Sequence, residues 1–434
     1  MSDLRLSLDA IDDRMRGFPP GHAALPLADI GRQGWKPYDG IMSLPLMSLD
    51  RPAFDGNVAL MMRYVREHGV AIAPHAKTPM STALARELVE GGAWGTTVAD
   101  IRQASVLLKA GFDRLILANE IGAAAAARRL AALLAGHREA EVHVFVDSPE
   151  LAASLLSIWQ ARSDLPPLGL LLEVGAGRAG ARTIEAARII LDTILAGEGT
   201  GISLSGIGAY EGAAATADPE ESIRRIDELM ALAVETHHLV RDRIGTERPL
   251  ILTAGGSVFF DRVIAGLRPI SALDAATTLV LRSGAIFFHD HGVYERGLAA
   301  LDARSGFELS GETVSASRGF KPVLRIWAEV LSRPEPDLAI CGMGLRDVAI
   351  DQGLPRPLAL YREGRRIGEL DASASIARLN DQHAFLVTGG CDLRIGDVVE
   401  FGLSHPCTCL DRHALVYGLD GDNAVIDAFA TSFG

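Results

Sequence analysis

A lysine stands in the stretch Pro74-His75-Ala76-Lys77-Thr78-Pro79, directly after the apolar run Val70–Ala73. Lysine ordinarily belongs to solvated faces. One reading of Lys77 is therefore a surface-loop residue, and the other is an amine held ready as nucleophile or base. Other groups could act beside it. Gly255-Gly256-Ser257 and Ser283-Gly284 are small-residue loops that either just turn the chain or offer N–H and hydroxyl groups to a phosphate. Arg178 lies in Gly-Ala-Gly-Arg-Ala-Gly, and Tyr210 opens Tyr-Glu-Gly. His405 and Cys407 put an imidazole and a thiol two residues apart. In an extended segment they share a side and suit zinc, with Cys407/Cys409 as a competing pair.

The surrounding pattern says how these residues are mounted. Eight apolar runs alternate with helical patterns: 70–73, 95–99, 114–118, 142–146, 168–174, 204–210, 250–254 and 277–282. Near-continuous apolar runs fit strands buried on both faces, as in parallel sheets. Helix starts are marked by Thr78-Pro79, Asp100, Ser148-Pro149 and Asp218-Pro219, and stops by Gly91-Gly92 and Gly111. This rhythm predicts a (β/α)8 TIM-like barrel over 45–290. A doubly wound sheet is the alternative, but it usually has a glycine-rich first turn, and the turn after Val70–Ala73 lacks one. Beyond 290 short strands and frequent Pro and Gly predict a C-terminal all-β domain, 291–434, which residues 1–44 join.

Barrel chemistry gathers at the C-terminal ends of the strands, and a phosphate site is often built after the seventh and eighth. The glycine loops at 255–257 and 283–284 fall there. A phosphate cradle and Lys77 on one barrel mouth point to pyridoxal 5'-phosphate held as a Schiff base, with His75 and Tyr210 beside it. Arg178 is then a candidate partner for the pyridine nitrogen. His289, Asp290 and His291 read as hinge or packing residues, and Asp347 and Asp351 as turn and cap residues.

Net charge is -13 over 434 residues, which argues against nucleic acid or an anionic membrane as the main partner. No run is long and apolar enough to span a bilayer, and the start lacks a signal-peptide core, so a cytoplasmic protein is expected. Four cysteines are too few for a disulfide scaffold.

Six short motifs carry a resemblance. Pro-His-Ala-Lys-Thr (74–78), EVGAGRAG (173–180), GIGAYEG (206–212), TAGGS (253–257), LRSG (281–284) and SHPCT (404–408) stand in the order found in the D-serine dehydratase and D-threonine aldolase family. The barrel of that family is like that of alanine racemase (fold type III pyridoxal phosphate enzymes). The resemblance implies Lys77 as the cofactor lysine and Arg178 at the pyridine nitrogen. It places Tyr210, Gly255, Gly256, Ser257 and Gly284 around the cofactor, and a divalent metal, Zn2+ or Mn2+, on His405 and Cys407. It also implies a homodimer and a β-hydroxy D-amino acid substrate. Family members often carry tyrosine two residues after the LRSG glycine, where this chain has Ile286. Cysteine at the second metal position is the more dehydratase-like choice. Dehydration to a 2-oxo acid and ammonia is thus expected, with cleavage to glycine and an aldehyde, or racemisation, as alternatives. Asp381-Gln382-His383 resembles a family turn that reaches a partner's site.

Overall fold

A computed structural model of the chain describes residues 10–199 and 201–433; residues 1–9, where the reading for a leader begins, lie outside them. Strand β1 (Leu46–Asp50) runs into α1 (Arg51–Glu67). The eight expected strands follow as β2 (Ala71–Ile72), β3 (Thr96–Val98), β4 (Arg114–Leu117), β5 (Glu141–Val146), β6 (Leu168–Glu173), β7 (Ile202–Gly208), β8 (Leu250–Ala254) and β9 (Thr277–Leu281). Between and after them come α2 (Thr82–Glu90), α3 (Ile101–Lys109), α4 (Ala124–Leu134), α5 (Pro149–Gln160), α6 (Ile184–Ala196), α7 (Pro219–Ile244), α8 (Phe260–Leu273) and α9 (Val293–Ala303).

The eight strands form one parallel curled sheet in the order β2-β9-β8-β7-β6-β5-β4-β3. Its two ends meet just beyond β2. His75 bridges Thr97 in parallel, the Ala76 N–H donates to the Thr97 carbonyl at 2.8 Å, and the Thr97 N–H donates to the Pro74 carbonyl at 3.0 Å. The segment that carries Lys77 is therefore the seam of the barrel, which is why it is short and stiff.

Side-chain alternation decides what fills the interior. Ala73, Ile116, Phe145, Leu171, Ile251 and Val280 form a dry inner plug, while Leu115, Val144, Leu170, Leu252 and Leu281 pack outward against the helices. Each such buried aliphatic contributes roughly 1.5–3 kcal/mol. Two residues further along, the inward positions become polar: His75, Glu173, Thr253 and Arg282. Gly208 pairs with Glu173 and Thr253, so Tyr210, two residues on, stands one inward position closer to the mouth. Strand register thus lays a polar layer on the apolar plug at the C-terminal mouth.

One helix start departs from the sequence pattern. α2 begins after Ser81, not at Thr78-Pro79. Met80 has φ 38, a left-handed conformation that a helix turn does not accept, and the Thr78 hydroxyl is engaged elsewhere. Asp100, Ser148 and Asp218 cap their helices as expected.

The second sheet is mostly antiparallel. β1 pairs antiparallel with the strand Leu324–Glu335 and parallel with Leu415–Leu419, so chain ahead of the barrel is woven into it. Besides β1, three strands of this sheet were not expected from the sequence: Arg356–Arg362, Arg365–Glu369 and Ser375–Leu379. The last two are largely exposed edge strands that lack an apolar face. No helix among the described residues is long and apolar enough to cross a membrane.

Arg51 ties the two sheets' units together. It is 7% exposed, and its guanidinium meets Glu87 of α2 at 2.8 Å and Asp427 of the last strand, Val425–Ala430, at 2.5 Å. Both carboxylates keep access to water, so removing the cation costs less than stripping a fully buried pair. Arg51→Ala is expected to destabilise the protein by about 2 kcal/mol, read from its denaturant midpoint. An unchanged midpoint would show the two ion pairs to be incidental.

Candidate active site

Lys77 projects from the seam into the barrel mouth. One face of the side chain stays open, but protein crowds the rest. Burial therefore lowers its pKa; the Cys407 sulfur opposes the shift, and Arg178 and Arg282 add to it. The amine is thereby biased toward the neutral form that nucleophilic and basic chemistry needs. Beside it, His75 accepts the Lys77 backbone N–H on Nδ1 at 3.4 Å. Burial, with the neighbouring cations of Lys77 and Arg282, holds His75 well below the usual imidazole range, so it is neutral.

Arg282 braces the polar layer. It is fully enclosed, donates to Thr253 Oγ1 at 2.8 Å and to the Ala209 carbonyl at 2.6 Å, and lies 5.0 Å over the Phe145 ring. Arg178 differs. Its guanidinium makes no hydrogen bond or ion pair among the described residues and lies 4.9 Å over the Tyr210 ring, an exposed cation available to a ligand. Glu173 completes the layer. Burial, together with a hydrogen bond shared with Glu120, pushes its pKa up to about 9. Glu173 thus keeps its proton at neutral pH.

The two small-residue loops are arranged differently from a simple cradle. The Gly255 and Ser257 N–H groups donate to the Glu211 carboxylate at 2.9 and 3.0 Å, and the Ser257 hydroxyl donates to it at 2.6 Å. The Ser283 hydroxyl donates to the Gly255 carbonyl at 2.5 Å and so staples one loop to the other. These groups build the loops and do not face outward. The N–H groups of Gly256, Gly284 and Ala285 have no partner among the described residues. A Cβ on Gly256 would come within 3.1 Å of the Tyr210 ring, so the bare backbone lies directly against that residue. Three unpaired N–H groups at a barrel mouth, a free Arg178 and an accessible amine fit a phosphorylated pyridine aldehyde. Glu211, fully buried, was not anticipated; its only sequence signal is an acid at a strand end inside Tyr-Glu-Gly.

His405 and Cys407 also reach this mouth. Residues Pro406–Leu410 form a short helix, with His405 as its N-cap, not the extended segment expected. In a helix, positions i and i+2 diverge. Cys409 is accordingly buried behind the site against Ala349, and the Cys407/Cys409 pair does not form. Cys407 Sγ sits 3.2 Å from Thr78 Oγ1, beside the Lys77 turn. A hydrogen bond with Cys407, then one with Asp351, raises His405 to about 9 against the opposing effect of burial. Asp351 Oδ2 meets His405 Nδ1 at 2.6 Å, and Asp351 Oδ1 accepts from Thr408 at 2.8 Å. A carboxylate on Nδ1 fixes the ring and leaves Nε2 for a second partner. The sequence pattern suggested only a cap for Asp351. No cluster of three or more His, Cys, Asp or Glu side chains among the described residues is arranged to enclose a metal. Two donors suit an ion that shares its coordination with water and substrate.

Asp290 caps α9 through the Gly292 and Tyr294 N–H groups at 2.7 and 3.0 Å. Asp347 closes a turn on the Gly344 N–H at 2.8 Å. Asp381 and His383 lie exposed on a turn of the second sheet unit and are not brought into the mouth of this chain.

Sequence profiles match this arrangement in two places. The profile described as "Alanine racemase, N-terminal domain" covers residues 49–244, and "Putative serine dehydratase domain" covers 323–419. The chain joins an alanine racemase-type barrel to a serine dehydratase-type domain. A 3-hydroxy-D-aspartate aldolase of Paracoccus denitrificans (strain Pd 1222) is 26% identical over 366 residues, 80% of this chain and 85% of that protein. The crystal structure of D-threonine aldolase from Filomicrobium marinum superposes with TM-score 0.71 at 22% identity, covering 90% of this chain and 95% of that one. D-threo-3-hydroxyaspartate dehydratase from Delftia sp. HT23 gives 0.67 at 19% identity, with 90% and 98% covered. The overall architecture is the alanine racemase-like fold. In this chain the barrel-type domain supplies Lys77, Arg178 and the glycine loops, and the dehydratase-type domain supplies Asp351, His405 and Cys407.

The Glu120–Glu173 pair has a measurable consequence. Glu173 ionises near its ordinary 4.5 in the unfolded chain but keeps its proton to about 9 in the fold. Between those values the folded state binds the extra proton, so stability falls as pH rises through that window. Glu173→Gln, which keeps a donor for Glu120, is expected to gain roughly 4 kcal/mol over wild type at pH 8 and almost nothing at pH 4. Thermal melts of both proteins across pH check this; a gain independent of pH would contradict it.

Proposed function

We propose that this chain is a pyridoxal phosphate- and divalent-metal-dependent lyase acting on a β-hydroxy D-amino acid. One observation carries the reading: the Lys77 turn and the Cys407 segment, far apart in sequence, touch at 3.2 Å through Thr78 and Cys407. An amine suited to cofactor chemistry thereby lies beside the two residues read as metal donors. The relatives named above, aldolases and a dehydratase of hydroxylated D-amino acids, support the same substrate class.

When bound, the cofactor would supply an electron sink for charge developing at Cα. Lys77 would hold it covalently, Arg178 would face its pyridine nitrogen, and Gly256, Gly284 and Ala285 would donate backbone N–H groups to its phosphate. A permanently charged guanidinium at that nitrogen keeps it unprotonated. With a substrate present, the Lys77 amine would be the base that takes the Cα proton, and its lowered pKa suits that step. His405 Nε2 and Cys407 Sγ would hold the metal where a β-hydroxyl binds, with Asp351 fixing the imidazole.

We favour dehydration, giving a 2-oxo acid and ammonia, because a cysteine stands at the second metal position. Cleavage to glycine and an aldehyde is the second reading, favoured by the names of the aldolase relatives. The same cavity serves both, since each begins with a β-oxygen oriented beside Cα.

A product assay separates them. Purified protein with pyridoxal phosphate and Zn2+ or Mn2+ is given D-serine, D-threonine and 3-hydroxy-D-aspartate, with each L-form as control. We expect oxo acid and ammonia from a D-substrate only, lost on chelation. Lys77→Ala should lose both this activity and the visible absorbance of bound cofactor. Glycine with aldehyde would establish the aldolase reading; enantiomer exchange without either product would replace both with a racemase.

A further inference from the structure

Tyr294 lies in the first turn of α9 and has no part in the scheme above. Its ring is 5% exposed, and its hydroxyl has no hydrogen-bond partner among the described residues. Buried phenol hydroxyls are normally paired, so an unpaired one at a site mouth is a donor available to a ligand.

The surroundings say which ligand atom it meets. The His291 N–H donates to the Leu403 carbonyl at 2.8 Å and the Val293 N–H to the Ser404 carbonyl at 3.1 Å, so the start of α9 is stitched to the residues just ahead of His405. Gly292 allows this approach, since a Cβ there would lie 2.5 Å from the Ser404 carbonyl oxygen. On its other side α9 packs through Gly297 against Val258, the residue after the Gly255–Ser257 loop. The first turn of α9 is therefore wedged between the metal-donor segment and the cofactor loop. The phenol's electrostatic neighbours are Cys407 first, then Asp290, Tyr210 and Glu211. Burial, reinforced by these groups, keeps it protonated and hence a donor.

We propose that the Tyr294 hydroxyl donates a hydrogen bond to the β-oxygen of the substrate, on the side of the cavity occupied by His405 and Cys407. This rests on the lyase reading. That oxygen gathers negative charge in either reaction. In dehydration the Cα proton passes to Lys77, the Cα–H pair becomes the Cα=Cβ bond, and the Cβ–O pair leaves on oxygen as hydroxide, which takes up a proton to depart as water. In cleavage the oxygen gives its proton to the Lys77 amine and becomes the aldehyde oxygen, while the Cα–Cβ pair passes to Cα, which is then protonated to give glycine. A donor fixed at that point stabilises the charge without transferring its own proton.

Tyr294→Phe keeps the ring and removes only the donor. In the full-length protein with pyridoxal phosphate and Mn2+, kcat for the best β-hydroxy substrate is expected to fall about 100-fold, with KM within about threefold. Cofactor affinity by absorbance titration and bound metal content should match wild type. Exchange of the Cα proton of D-alanine in D2O, which involves no β-oxygen, should also be unaffected. A kcat within about threefold of wild type would overturn the assignment. So would a parallel loss of D-alanine exchange, or a loss of cofactor affinity repaired by excess cofactor, which would move the donor to the phosphate. A wild-type protein that yields neither product ends the lyase reading and the Tyr294 role together, whereas an active wild type with an equally active variant ends only the latter.

Discussion

The closing of the barrel at Pro74–Ala76 against Thr97 is the constraint on which the site depends. β2 is only two residues long, so it cannot close the sheet alone; the seam is finished by backbone bonds from the segment that follows. Those bonds fix the backbone on which Lys77 is mounted. A reacting amine needs placement to a fraction of an ångström, and on the proposed function the hydrogen bonds that close the fold would supply it. The same turn is braced from the second sheet unit, by Thr78 on Cys407 and by the Ser432 N–H on the Met80 carbonyl at 2.8 Å.

A second principle is the layering of charge. The inner plug is apolar up to Leu171 and Val280, and the next inward positions, Glu173 and Arg282, are buried ionisable groups. Burying charge is costly unless it is paired. The protein meets this with mutual compensation. Arg282 has two fixed acceptors, Glu211 takes three donors from the Gly255–Ser257 loop, and Glu173 keeps its proton because burial disfavours its charge, with Glu120 adding to the effect. Among the described residues at the mouth, the Arg178 guanidinium, three backbone N–H groups and the Tyr294 hydroxyl have no hydrogen-bond partner, and the Lys77 amine lies beside them. Such groups are where ligand oxygen and nitrogen atoms can bind.

The limits of sequence reading follow from this. Asp351 looked like a cap because its partner, His405, is 54 residues away in the chain and joined to it only by packing. Glu211 looked incidental because its role depends on the backbone direction of a loop beyond a helix of 26 residues. The shared side given to Cys407 and Cys409 assumed extended chain; the helix at Pro406–Leu410 rotated them apart. Thr78-Pro79 carries a strong local cap signal, yet a tertiary contact to Cys407 claimed the hydroxyl.

Local pattern was enough for the eight barrel strands, since a parallel barrel buries both faces and so writes long apolar runs into the chain. For Lys77 it left a surface-loop residue and a reactive amine both open, and motif order is what favoured the pyridoxal phosphate reading and the reading of His405 with Cys407 as metal donors. The tertiary structure decided which backbone N–H groups remain free, which nitrogen of His405 faces the cavity, and that Tyr294 stands between the two halves of the site. Those are facts of direction and partnership. They depend on which groups are already bonded to each other, and residues brought together from opposite ends of the chain leave no period or spacing from which that can be read.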